Sequence, residues 1–140
     1  MRNSSMSEAV QPDAVDPEVL ELAGRVFDAA RNGDAPALAG FVDAGVPADL
    51  CNDKGDTLVM LAAYHGHADA VRVLLERGAD ANRANDRGQT PLAGAVFKGE
   101  ASVVDALVDG GADPRAGQPS AVATAEMFGR TALVERFKAL

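Results

Sequence analysis

The sequence predicts an all-α protein, a solenoid of stacked helix-turn-helix units joined by short hairpin links. Two recurrences and a composition predict it. Glycines return every 33 residues in two registers, Gly33, Gly66, Gly99 and Gly45, Gly78, Gly111. Apolar residues keep the same step at Leu38, Val71, Val104, at Phe41, Leu74, Leu107 and at Val42, Leu75, Val108, with small residues at Ala29, Ala62 and Ala95. A fixed period of this size marks an array in which each unit hides its apolar face only against its neighbours. The chain is 47% hydrophobic yet only 4% aromatic and has no Trp. Its core must therefore be thin layers of Ala, Val and Leu, and 140 residues suit one domain.

The elements follow in order. Residues 1–15 are polar, with few apolar anchors, and are expected to form a disordered tail; the repeat domain occupies 16–140. Asp16-Pro17-Glu18 is a helix start, with Asp as N-cap, Pro at the first helical position and an acid in the first turn. Leu20, Leu22, Ala23, Val26, Phe27 and Ala30 continue at helical spacing to Gly33, and Asp34 caps a second helix reaching about Ala44. In the next unit Thr57 caps a short apolar helix, Leu58–Tyr64. Gly66 turns the chain, a helix over about 68–77 follows, and Gly78 stops it. The third unit repeats this from Thr90-Pro91-Leu92, with its turn at Gly99 and a helix over 101–109. The fourth drifts, Gly129 following Gly99 by 30 residues, so the link Pro114–Ser120 is three residues short and Ser120 stands in Thr90's place. The units span about 18–51, 52–84, 85–117 and 118–140.

Two stretches carry a resemblance. Gly55-Asp56-Thr57, Ala62-Ala63, Gly66-His67-Ala68-Asp69, Val71, Leu74-Leu75 and Gly78-Ala79-Asp80-Ala81-Asn82 form one; Gly88-Gln89-Thr90-Pro91-Leu92, Gly99, Val103-Val104, Leu107 and Gly110-Gly111-Ala112-Asp113 form the other. The chain resembles the ankyrin repeat family over about residues 18–140, as two full internal repeats between two divergent ones. The family's Thr-Pro-Leu-His start is here Thr57-Leu58-Val59-Met60 and Thr90-Pro91-Leu92-Ala93, without the His that tethers adjoining repeats. Apolar contact at Met60 and Ala93 is expected to replace that tether. Asn52 and Asn85 stand where the family has Asp and can still hydrogen-bond the turn. The short link Pro114–Ser120 is expected to end the concave edge.

The resemblance implies a protein–protein interaction scaffold whose concave groove is lined by hairpin tips and first-helix ends. Carried onto this chain, the tips are Asp53, Lys54 and Asp56, then Asp86, Arg87 and Gln89. The helix ends give Tyr64 and His65, then Phe97 and Lys98, then Met127 and Phe128. Large rings suit a binding strip, since they offer much area and few rotors to freeze. The same rings could instead lie flat over the next repeat and close the stack.

Charge and chemistry narrow the classes. A net charge of −8 repels phosphate backbones and anionic membrane surfaces, so another protein, with a basic patch, is the expected partner. An acidic inhibitor or immunity-type protein for a basic enzyme or toxin is the narrower alternative. A self-associating structural module is another, stacking end to end through Phe137 and Leu140 or through Leu20 and Leu22. The protein is read as a monomer without cofactor or metal: His65 and His67 are too few for a closed zinc site. No nucleophile elbow, Walker loop or dinucleotide fingerprint is present, so no enzyme is expected. One cysteine, Cys51, and the absence of an apolar leader in Met1–Asp16 point to the cytoplasm.

Overall fold

A computed structural model describes residues 16–140, and the tail expected over 1–15 lies outside them. Eight helices form four pairs among the described residues: α1 (Pro17–Asn32) with α2 (Ala35–Asp43), α3 (Leu58–Tyr64) with α4 (Ala68–Glu76), α5 (Pro91–Lys98) with α6 (Ala101–Asp109), and α7 (Ala121–Met127) with α8 (Thr131–Lys138). The first helices pack in the sequence α1, α3, α5, α7, and the second helices α2, α4 and α6 form a second layer behind them.

Local chemistry sets the boundaries. Each first helix starts on an oxygen that accepts a first-turn amide: Asp16 from Glu18, Thr57 from Met60, Thr90 from Ala93 and Ser120 from Ala123. These bonds satisfy donors that have no partner inside the helix. In the first and third pairs the first helix ends at a glycine with positive φ, 71° at Gly33 and 74° at Gly99, and the chain reverses into the second helix.

The core runs between the two layers. Leu38, Leu58, Leu74, Val71, Val96 and Leu107 are fully enclosed, with Ala62, Ala63 and Ala95 letting the layers approach. Phe137 also belongs to this core and is 0% exposed, which removes it from the end surface where the sequence placed it for self-stacking. It fills the register position of Leu107, 30 residues earlier, which is likewise fully buried. Leu22 is half-buried as well, whereas Leu20 and Leu140 remain exposed.

Successive repeats are tied by polar contacts as well as apolar ones. His67 Nε2 lies 2.8 Å from the Arg31 carbonyl, so the ring donates across the repeat boundary. Between the first and second repeats a polar tether is thus supplied from the start of α4. On the second-helix layer Arg77 makes two bonds to Asp43 (3.1 and 3.4 Å), Arg72 reaches Asp109, and Arg136 reaches Asp105 at 2.7 Å.

Candidate functional site

The links between pairs fold into hairpins that stack on one another. In the first, Asn52 and Asp56 close a backbone bond of 3.0 Å, and the Asn52 side-chain oxygen accepts the Lys54 and Asp56 amides. The second repeats this, with Asn85 bonding Gln89 and its oxygen accepting the Arg87 and Gln89 amides. The amide form does what an Asp would do here and adds a donor: Asn85 Nδ2 reaches Asp56 Oδ1 at 2.8 Å and Gln89 Oε1 at 2.9 Å. Asp86 N donates to Lys54 O, which seats the second hairpin on the first. The short third link continues the stack, because Gln118 N donates to Gly88 O at 2.9 Å. The edge therefore does not stop before Pro119, as the length of the link had led one to expect.

Two hollows lie against this edge. One, of about 520 Å³, gathers Asp53, Lys54, Asp56, Asp86, Arg87 and Gln89 around Met60 and Tyr64. The other, of about 380 Å³, is lined by Tyr64, Phe97, Met127 and Phe128 from the first-helix ends, by Gln89, Thr90 and Pro119 from the links, and by Met60, Ala93, Gly94 and Thr124 from within the first helices. The hollows share Met60, Tyr64 and Gln89, so they adjoin. Ten of the twelve residues singled out in the sequence line one or both. His65 and Lys98 line neither, but both touch Tyr64: Lys98 Nζ sits 4.3 Å above the ring, and His65 meets it edge-on at 5.6 Å.

The large side chains stay open. Tyr64 is 46% exposed, Phe97 57%, Met127 66% and Phe128 49%, although Phe97 and Phe128 meet edge-to-face at 5.5 Å across a repeat boundary. Partial burial holds the His65 imidazole below its ordinary range, with His67, Lys98 and Arg31 adding repulsion of a further positive charge.

Sequence reasoning passed over several lining residues, among them Met60, Pro119 and Gly94. Met60, 6% exposed, reads as an inter-repeat contact and also lines both hollows. Pro119 sits in the link taken as the end of the edge. Gly94 lies inside α5, where glycine costs about 1 kcal/mol against alanine. The 33-residue register could have found it, because Gly94 falls where the preceding repeat has Leu61.

Among the described residues no three His, Cys, Asp or Glu side chains are grouped as a metal site requires, and no helix is long and apolar enough to cross a membrane. Cys51 is a free thiol with its sulfur 3.7 Å from Arg83 Nη2.

Known proteins share this arrangement. The ankyrin repeat protein PA3287 of Pseudomonas aeruginosa is 45% identical over 59 residues, 42% of this chain and 34% of that protein. The crystal structure of the human ASB11 ankyrin repeat domain superposes with a TM-score of 0.69 at 28% identity, covering 81% of this chain and 52% of the other. The chain thus spans about a third of the curated relative and about half of the solved one. A family model for ankyrin repeats, in three copies, matches residues 26–118. With that match running through most of the repeated region and the helix pairs stacked as described, the chain belongs to the ankyrin repeat family.

Proposed function

We propose that this chain is a protein-binding scaffold that takes its partner in a concave groove formed by α3, α5, α7 and the hairpin tips. Ankyrin repeats are generally protein–protein interaction modules, and the fold is typically a non-enzymatic scaffold. One observation carries the reading to this face: four large side chains, Tyr64, Phe97, Met127 and Phe128, stand about half exposed around a single hollow. Burying them on a partner removes apolar area from water at about 25 cal/mol per Å². The charged tips at Asp53, Lys54, Asp56, Asp86 and Arg87 would form the polar rim and set orientation. The protein acts as a monomer, without catalysis or cofactor, and its free thiol supports a reducing, cytoplasmic setting.

Replacing Tyr64 and Phe97 together by Ala should abolish partner capture from native lysate, read by mass spectrometry, while helical circular dichroism is unchanged. Undiminished capture by the double variant discards the site. The net charge of −8 supports the narrower form, an acidic inhibitor or immunity-type protein for a basic enzyme or toxin. That form requires an association rate that falls steeply with salt.

Against end-to-end self-assembly stand the charges at both ends of the stack. Arg25 and Asp28 occupy the register of Leu58 and Leu61, and Glu126 that of Ala63 and Val96, all four of which are buried inside the array. Another copy stacked there would have to desolvate those charges.

A further inference from the structure

Resting on the groove reading above, we propose that Gly94 keeps open an anchor pocket for one bulky apolar side chain of a partner peptide, whose nearby Lys or Arg reaches the carboxylates of Asp53, Asp56 and Asp86. Gly94 makes no turn and has no positive φ, since it lies within α5. No neighbour stands within 4 Å of where its Cβ would be, so no close packing requires glycine either. The register residues in the flanking repeats, Leu61 and Thr124, are both buried and fill their places. Gly24 and Gly40 have similar free space but are exposed, whereas Gly94 is half-buried and opens into the 380 Å³ hollow. The helix would gain from almost any other residue at this position. Local rules broken without a packing return are expected at functional sites.

The hollow selects an apolar occupant. Its walls are Tyr64, Phe97, Met127 and Phe128, and three of its polar atoms are already engaged. The Thr124 hydroxyl donates to Ser120 O at 2.8 Å, Thr90 Oγ1 accepts the Ala93 amide, and Gln89 Oε1 accepts from Asn85. The adjoining hollow selects a cation. Its three carboxylates face two cations, Lys54 and Arg87, and none of the three carboxylates is in an ion pair among the described residues. The chain as a whole, at −8, adds to the attraction for a basic segment.

The test is selection of a random dodecapeptide display library on the full chain, followed by affinity measurement of the enriched sequence as a synthetic peptide. The expected consensus is one Phe, Leu, Trp or Met with Lys or Arg within a few residues. Gly94→Leu, which plugs the hollow from its floor, should weaken that peptide at least about tenfold. Its melting temperature should match or exceed that of the wild-type chain, and Gly40→Leu should bind normally. Should Gly94→Leu fail to fold, Gly94→Ala serves, with a smaller loss expected. Asp86→Asn should weaken binding and flatten its salt dependence. Peptides that bind Gly94→Leu as well as wild type but lose the Tyr64→Ala/Phe97→Ala variant overturn the anchor and leave the groove standing. Peptides indifferent to both overturn both. A consensus without the basic residue, no enrichment at all, a dimer dispersed by Gly94→Leu, or aromatic fragments that fill the hollow while no peptide binds would each overturn the proposal.

Discussion

Gly33 shows what single residues contribute to this array. Its φ of 71° is left-handed, and a Cβ there would fall on the ring of His67 from the next repeat. Gly78 has the same conformational demand, φ 93°, but no neighbour within 4 Å. Alanine should therefore cost about 1 kcal/mol at Gly78 and roughly 2–3 kcal/mol at Gly33, where the clash adds to the backbone cost. Urea midpoints of the two variants give the comparison; equal costs would mean that the His67 ring moves aside freely. His65 carries a pH dependence whose sign follows from its surroundings. Its folded pKa is lowered, so the unfolded chain takes up the proton first and stability is lost as pH falls through the ordinary imidazole range, near ~6.5. Above that range the contribution is fully present. His65→Asn should flatten the fall in melting temperature between pH 7.5 and 5, and a fall of unchanged steepness would assign it to other groups. Neither effect was legible in the sequence. The 33-residue step marks the glycines, but only the folded stack brings His67 over Gly33 and Lys98 beside His65.

Helices and hairpins were far more legible, because their signals are local. Caps at Asp16, Asp34, Thr57, Thr90 and Ser120 and the glycine turns lie within a few residues of what they control. Thr57 tests this at one element. Its side chain is 1% exposed and its oxygen accepts the Met60 amide at 3.1 Å, so Thr57→Ala leaves a buried donor unmet. The expected cost is about 1–2 kcal/mol. Thr57→Ser, which keeps the bond, should recover most of it in the same denaturation assay. The third link was misjudged from its length. A tighter hairpin, bridged between Gly117 and Ser120, still meets its neighbour through Gln118, and that contact is not local.

Taken whole, the molecule is a row of units in which each repeat meets only the next, so damage should stay near its source. Phe137 is the largest fully buried side chain and lies in the last helix. Phe137→Ala should cost about 3–5 kcal/mol where it acts. Hydrogen exchange should then show protection lost in α7 and α8 while α3 to α5 keep theirs. Uniform loss along the row would instead mean one all-or-none unit. The end beside it carries an ion pair, Glu126 to Lys138 at 3.8 Å, which adds little stability while exposed.

By itself the sequence determined the repeat period, the helix pairs and their caps, since these depend on spacing and on chemistry between residues close in the chain. It also identified which side chains recur at the first-helix ends. Tertiary structure decided how deeply each was buried, that two adjoining hollows share Met60, Tyr64 and Gln89, and that Gly94 opens into one of them. Those properties depend on packing between residues about a repeat apart, and no local pattern encodes the space left when such residues meet.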